Sequence, residues 1–421
     1  MKRILVFPCG SEIGLEIHRS LSNSKHFELF GGNTVDDHGK FVYTNYIPNI
    51  PFIDEDNFIE RINGIIKENK IDFIIPAHDS VVLKMAKHQN EINARVITST
   101  HETCEICRSK LKTYKRFEGI INIPRIYETE DEINFPVFLK PEVGQGSKGT
   151  FKVYDKKNIE FYLGKDPTLL ILEYLPGKEY TVDCFTDRAG NLLFSEGRER
   201  YRINNGISVN SKPVKDPRFK EIAEKINNTI SFRGVWFFQV KERSNGDLVL
   251  MEIAPRIAGT MGLYRNMGIN FTELSLFDAM NLDVHIILNN LDLEIDRALV
   301  SKFNLNYDYD TIYIDFDDTI IVNESVNLEA IKFIYQSKNL GKSINIITRH
   351  KKNLEESLSK FFISRSLFDQ IFVIKDDESK SDYIKSKNSI FIDDSFRERK
   401  DVFEKSKIPV FGIDAIECLL L

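Results

Sequence analysis

The chain has 421 residues, 42% hydrophobic and 29% charged, a globular balance that excludes disorder. Its 57 Lys and Arg against 63 Asp and Glu leave a formal net charge of −6, the opposite of the basic surplus of a dedicated nucleic-acid binder. At roughly 100–200 residues per domain the length predicts about two to four domains. No apolar run approaches a membrane span of about 18 residues or more, so no membrane association is expected. Five cysteines make no disulfide framework, and the expected setting is a reducing cytoplasm.

Residues 3–7 form a short apolar run ending at Pro8-Cys9-Gly10-Ser11, which reads as a buried first strand rather than a signal peptide. A helix follows with Ile13, Leu15, Ile17 and Leu21 as its apolar members. Phe27 to Phe30 is a second strand closed by Gly31-Gly32, residues 60–69 are helical, and Ile71 to Ile75 is a third strand stopped by Pro76. Strands alternating with helices imply a parallel sheet with covered faces, whose ligands sit beyond the carboxyl ends of the strands. Gly10-Ser11-Glu12-Ile13-Gly14 lacks the dinucleotide spacing, and close helix–strand packing is expected there. His101, Cys104 and Cys107 lack a fourth zinc ligand and read as a buried helical turn.

A second unit begins near Ser109, with turn signals at Ala189-Gly190-Asn191 and Asn245-Gly246-Asp247 that predict hairpins and antiparallel strands. Three features converge in it. Val137 to Pro141 delivers Lys140 into a loop with Gly144, Gly146 and Gly149, where backbone N–H groups can wrap phosphate oxygens beside a point charge. The apolar strand from Leu170 ends in Glu173, with Glu179 six residues on; edge backbone can bond a purine and a carboxylate a ribose. Adjacent strands place Gln239 and Glu252 on an otherwise apolar surface, where a carboxylate is costly unless paired or metal-bound, and oxygen ligands suit Mg²⁺. Trp236 reads as core.

In this order and spacing the chain resembles the ATP-grasp superfamily over roughly residues 1–300, in the branch similar to the large subunit of carbamoyl-phosphate synthase. Pro76-Ala77-His78-Asp79 also resembles a motif of that family's pre-grasp domain. The resemblance implies ATP and Mg²⁺ as cofactors. It implies Lys110 and Lys140 as nucleotide lysines, with Gly144, Gly146, Ser147 and Gly149 in a phosphate lid. Glu173 and the backbone near Leu175 match the adenine hinge, and Glu179 the ribose carboxylate. Gln239 and Glu252 match Mg²⁺ ligands, and Arg256 matches an arginine near the transferred phosphate. The family usually has Glu-x-Asn-x-Arg, whereas Glu252-Ile253-Ala254-Pro255-Arg256 has alanine at the asparagine ligand.

From Thr311 strict alternation returns, with strands at 311–314, 343–347, 371–374 and 389–392 and helices at 328–335 and 353–362. Asp315 and Asp317 follow the first strand and, as i and i+2 of an extended segment, are expected to converge. Thr348, Lys380 and the pair Asp393-Asp394 fall at or after the other strand ends. This set resembles the haloacid-dehalogenase-like (HAD) phosphohydrolases over roughly residues 308–421. It implies Asp315 as nucleophile, Asp317 as general acid and base, Thr348 and Lys380 as phosphoryl holders, and Asp315, Asp317, Asp393 and Asp394 as the Mg²⁺ group. Only 30 residues separate Asp317 from Thr348 and 31 separate Thr348 from Lys380, room for one crossover of about 30 residues and no inserted cap.

The expected architecture is α/β and α+β multidomain: a Rossmann-like pre-grasp domain (1–108), an ATP-grasp domain (109–305) and a HAD-like parallel-sheet domain without a large cap (306–421). The expected function is an ATP-dependent carboxylate–amine ligase fused to a magnesium phosphatase in small-metabolite or surface-sugar biosynthesis. Its partners are a small carboxylate, an amine and a phosphoester. The alternatives are a kinase, or a ligase with a non-catalytic phospho-ligand-binding or docking module.

Overall fold

The computed structural model describes residues 1–128, 133–144, 146, 148–204, 206–303 and 305–421; Gln145 and Ser147 of the glycine loop lie outside them. The chain divides into two compact units, Met1–Val300 and Ser301–Leu421.

The first unit opens with β1 (Lys2–Phe7), α1 (Glu12–Leu21), β2 (Phe27–Gly32), β3 (Asn45–Ile47), α2 (Phe58–Asn69), β4 (Phe73–Pro76), α3 (Asp79–Lys87) and β5 (Arg95–Val96). The strands form a parallel sheet in the order β3-β2-β1-β4-β5. Central β1 is covered on both faces, so Ile4, Leu5 and Val6 are all fully buried and the run is continuously apolar. β2 runs on through the two glycines expected to end it. A Cβ on Gly31 would stand 2.4 Å from the Tyr43 ring and one on Gly32 2.5 Å from Ile50, so these positions are kept bare for close packing.

After α4 (His101–Arg108) and α5 (Lys110–Phe117), a four-stranded antiparallel sheet is built from β6 (Ile126–Tyr127), β7 (Val137–Pro141), β8 (Phe151–Val153) and β9 (Leu169–Glu173), with α6 (Lys156–Lys165) between the last two. A six-stranded antiparallel sheet follows: β10 (Glu179–Thr186), β11 (Leu192–Asn204), β12 (Ile207–Val214), β13 (Gly234–Glu242), β14 (Leu248–Ala254) and β15 (Ile295–Asp296), in the order β14-β13-β10-β11-β12-β15. α7 (Pro217–Thr229), α8 (Gly262–Asn266) and α9 (Phe271–Ala279) accompany it. Gly190 and Gly246 take the φ of 87° and 85° that the two expected hairpins require. Trp236 is fully buried and stacks on Phe232.

Segments 1–108 and 109–305 share one core, in which Ile4, Val6 and Ile75 join Phe237, Tyr264 and Phe271. The unit boundary falls near 300 rather than 306. β15, which pairs with β12 through Asn210 and Ser211, is the last strand tied to the first unit.

The second unit contains β16 (Thr311–Ile314), a hairpin of β17 (Ile321–Val322) and β18 (Ser325–Val326), α10 (Leu328–Asn339), β19 (Ser343–Thr348), α11 (Leu354–Lys360), β20 (Gln370–Val373), β21 (Ser389–Ile392), α12 (Phe396–Ser406) and β22 (Val410–Phe411). Its sheet is parallel in the order β20-β19-β16-β21-β22. Between Asp317 and α10 the chain makes only the β17–β18 hairpin. Among the described residues no helix is long and apolar enough to cross a membrane.

α1 illustrates how tightly the first sheet is packed. Ser11 caps the helix by accepting from the Gly14 N–H at 3.0 Å, and a Cβ on Gly14 would stand 2.3 Å from the Cys9 carbonyl oxygen. Gly14→Ala should therefore destabilise the protein by roughly 1–3 kcal/mol. Urea unfolding followed by far-UV circular dichroism checks this, and an unchanged midpoint would show that α1 moves aside without cost.

Candidate functional site

Two adjoining cavities of the first unit gather the candidate residues. The smaller, of about 140 Å³, is lined by Lys110, Lys140, Tyr174, Leu175, Glu179 and Glu252 among others. Lys140 leaves β7 almost wholly buried, at 5% exposure, and donates to the Met251 carbonyl oxygen at 3.4 Å. Burial, reinforced by the neighbouring Lys110 charge, pushes Lys140 down to about 7. Lys110 opens α5 behind the Ser109 cap and donates to the Gly144 carbonyl oxygen at 3.4 Å. Gly146 and Gly149 adopt φ of 60° and 70°, the left-handed region that glycine enters freely.

The expected hinge carboxylate is engaged elsewhere. Glu173 accepts from Arg243 at 2.8 and 2.9 Å and from the Arg125 N–H at 3.2 Å. Burial opposes its charge, but Arg243 holds the carboxyl below the usual range. Glu173, Tyr174 and Leu175 all line the cavity, so the hinge segment stays at the site although the Glu173 carboxylate is ion-paired. Glu179 also lines it, paired with Arg200 and 3.5 Å from Lys241.

Register places Gln239 of β13 directly opposite Glu252 of β14. The surrounding surface is more polar than the sequence implies. The Gln239 side-chain oxygen accepts from Arg200 at 2.9 Å, and Thr181 of β10 stands opposite both Gln239 and Arg198. Ala254 lines the larger cavity and is itself buried, with no side-chain oxygen to offer. Arg256 is also diverted, since Asp79 accepts from it at 2.5 and 2.8 Å. Burial works against the Asp79 carboxylate, yet Arg256 holds it below its usual range.

The larger cavity measures about 430 Å³. It shares Lys110, Gly144, Gly146, Arg200, Gln239 and Glu252 with the smaller one, so the two meet at the Gln239–Glu252 pair.

In the second unit the strand ends gather carboxylates around one cation. Lys380, 3% exposed, donates to Asp393 at 2.6 Å and stands 2.8 Å from Asp315 Oδ1. That contact lacks hydrogen-bond alignment, and Asp315 Oδ1 is buried without a hydrogen-bond partner. Burial raises both carboxyls, Asp315 to about 7, against the opposing pull of Lys380. Of the lysines near this position, Lys385 instead donates to the Asp382 carbonyl oxygen. Ligand oxygens of Asp315, Asp393 and Asp394 lie within 4.8 Å of one another, a donor set suited to a hard divalent cation.

Asp317 stands apart from that group, contrary to expectation. The strand ends at Ile314, so the alternation that would align Asp315 with Asp317 no longer applies. Asp317 instead faces His350, whose Nδ1 lies 2.9 and 3.0 Å from its two oxygens, while Thr348 donates to it at 3.5 Å. His350 Nε2 is 2.7 Å from Ser357 Oγ.

Residues 165–294 match the family model described as "ATP-grasp in the biosynthetic pathway with Ter operon". The carbamoyl phosphate synthase large chain of Clostridium botulinum (strain Alaska E43 / Type E3) is 25% identical over 224 residues, covering 48% of this chain and 21% of that one. The first unit is thus similar to ATP-grasp ligases. A formate-dependent phosphoribosylglycinamide formyltransferase of Prochlorococcus marinus (strain MIT 9515) is 22% identical, covering 74% of this chain and 86% of its own. The N5-carboxyaminoimidazole synthetase of Staphylococcus aureus complexed with ADP shares the fold, with a TM-score of 0.57, 15% identity and coverage of 67% of this chain and 78% of that one. The chain spans about a fifth of the length of the carbamoyl phosphate synthase large chain.

Sequence reasoning missed Arg198 and Arg200 in the first unit and His350 in the second. The arginines sit in a run of alternating charges that reads as a solvated strand, and a single histidine after Thr348-Arg349 carries no spacing signal. An anion bound beside Lys140 should restore its charge. At pH 8, above its value of about 7, MgADP binding should take up a proton. At pH 6 the lysine is already charged, so the uptake should fade. Calorimetry in buffers of different ionisation enthalpy measures this, Lys140→Met should remove it, and uptake that persists in the variant would assign the proton elsewhere.

Proposed function

We propose that the ATP-grasp unit activates a small carboxylic acid with ATP and joins it to an amine, and that the second unit is a magnesium phosphatase of the HAD-like kind. The observation that carries the ligase reading is the meeting of the two cavities at Lys110, Gln239 and Glu252. A nucleotide in the smaller cavity would present its terminal phosphate at that seam to an acid held in the larger. The names of the relatives, a formyltransferase and a synthetase, accord with this chemistry.

The acid's oxygen attacks the γ-phosphorus, the bond to the β–γ bridging oxygen breaks, and ADP departs. The amine nitrogen then attacks the acyl carbon, the carbon–oxygen bond to phosphate breaks, and the amine proton passes to the released phosphate or solvent. Lys110 and Lys140 hold phosphate oxygens as negative charge moves between them, which is positioning and electrostatic stabilisation rather than covalent work. Gly144, Gly146, Lys148 and Thr150, which line the smaller cavity, would help exclude water from the acyl phosphate. Glu252 and Gln239 would hold Mg²⁺, which supplies charge neutralisation along the phosphates. The donor chemistry fits if phosphate oxygens and water complete the shell, because Gln239 already accepts from Arg200 and position 254 is alanine.

In the second unit Asp315 would attack phosphorus to form an aspartyl phosphate while Asp317, held by His350, gives its proton to the leaving oxygen. Water then attacks the phosphorus, the aspartyl–phosphate bond breaks, and Asp317 takes a proton from that water. Thr348 and Lys380 would hold the phosphoryl oxygens. Asp315, Asp393 and Asp394 would hold Mg²⁺, which supplies charge neutralisation; the buried, unbonded Asp315 Oδ1 fits a cation there.

ADP release from the full chain with a panel of acids, with and without amines, tests the ligase. Lys140→Ala should lower that turnover by roughly 10²-fold or more and leave p-nitrophenyl phosphate hydrolysis intact. Asp315→Asn should do the converse, since an amide is a far weaker nucleophile. ADP release that never depends on an acid would reject the ligase. A variant lacking Asp315 that hydrolyses the phosphoester at the parental rate would reject the phosphatase.

A further inference from the structure

The larger cavity carries more positive charge than a nucleotide would use. Arg108, Arg198, Arg256 and Arg297 line it and do not line the smaller cavity, while Arg200 borders both. Against these five arginines and two lysines its wall shows three carboxylates, Glu12, Asp79 and Glu252. Arg198 is 1% exposed, and although Asp183 accepts from two of its nitrogens at 2.7 and 3.2 Å, its Nη1 has no hydrogen-bond partner. The Arg200 side chain is 7% exposed, and its Nε is likewise unbonded. Buried donors are bonded in the great majority of cases, so two orphaned guanidinium N–H groups on one wall require an explanation.

Arg297 is brought to the same wall from far along the chain. β15 pairs with β12, and the Arg297 N–H donates to the Val209 carbonyl oxygen at 2.8 Å, which holds the residue where the chain leaves the sheet. Its guanidinium donates to the Ser208 carbonyl oxygen at 3.4 Å. A Cβ on Gly259 would stand 3.2 Å from both its terminal nitrogens, so that glycine leaves room for it. Its ionic partner is Glu12, whose side chain is 47% exposed and so is readily solvated when the arginine takes another anion.

We propose that the acid bound in the larger cavity carries two anionic groups: a carboxylate at the seam beside Lys110 and Glu252, and a second anion, carboxylate or phosphate, against the wall of Arg198, Arg200 and Arg297. This rests on the ligase reading for the role of the first group. The second anion explains why guanidinium groups are concentrated there, Arg198 and Arg297 lying outside the smaller cavity and Arg200 at the border of the two, and it makes a simple fatty acid or neutral amino acid a poor ligand.

Isothermal titration of the full chain in the presence of MgADP tests this with three acids of similar length: butyrate, glutarate and 3-phosphopropionate. Glutarate or 3-phosphopropionate should bind at least about tenfold more tightly than butyrate, and whichever is tighter identifies the second anion. Arg297→Met should reduce that preference about tenfold, and Arg297→Lys, which keeps the charge, should restore much of it. The MgADP affinity of each protein reports that its cavity is folded. Equal affinities for all three acids, or a preference untouched by Arg297→Met, would overturn the proposal. A preserved diacid preference without any acid-dependent ADP release would overturn the ligase reading while leaving the two-anion cavity standing.

Discussion

Asp79 and Arg256 are 177 residues apart in sequence, yet the first unit is organised around their two-pronged contact. Asp79 stands in the first turn of α3, at the carboxyl end of the parallel sheet, where a helix N-terminus also favours a carboxylate. Arg256 follows β14, the edge strand of the six-stranded sheet. The pair therefore pins the end of one sheet to the end of another, and both residues line the larger cavity. With side chains only 13% and 19% exposed, removing either partner would strand a largely desolvated charge, at a cost of about 3–5 kcal/mol. The shared core of Ile4, Ile75 and Phe237 depends on this clamp holding the sheets in one relation.

The second unit relies on a different compromise. Lys380, Asp315 and Asp393 are each at most 5% exposed, so one positive and two negative groups are taken out of water together. Such a trio is stable only where each charge finds a counter-charge. The imbalance toward negative is reflected in the raised carboxyls of Asp315 and Asp393. The Ser395 N–H, donating to Asp393 at 2.8 Å, adds part of what is missing. The parallel order β19-β16-β21 explains how residues 315, 348 and 393 reach one rim from distant stretches of chain.

Much of this was legible before any coordinates. Apolar runs located β1, β16, β19 and β21 closely, and glycine followed by Asn191 or Asp247 marked both hairpins. The pairing of Gln239 with Glu252 followed from two strands and a short turn. What the sequence hid falls into three kinds. Two-residue strands such as β15 have no period to detect, and α12, with Val402 as its single buried residue, has no apolar stripe. Long-range ionic contacts redirected individual side chains, Glu173 to Arg243 and Arg256 to Asp79, which no local pattern encodes. The third kind is a rule applied past its domain: Asp317 follows the end of β16, and Asp318 takes a φ of 56°, so strand alternation ceases to govern it.

The distribution of thiols has a practical consequence. All five cysteines are free; Cys9, Cys104, Cys107 and Cys184 are buried in the first unit, and Cys418 is half-buried in the second. Burial pushes Cys104 up to about 11 and Cys9 to about 12, and Cys107 and Cys184 also stand well above the ordinary value. Alkylating reagents attack the thiolate, which these four scarcely form at neutral pH. Cys104 and Cys107 border the larger cavity, whereas modification of Cys9 and Cys184, which line neither cavity, requires the first unit to open. Cysteine footprinting by mass spectrometry can thus time the opening of one unit with Cys418 as an internal clock in the other.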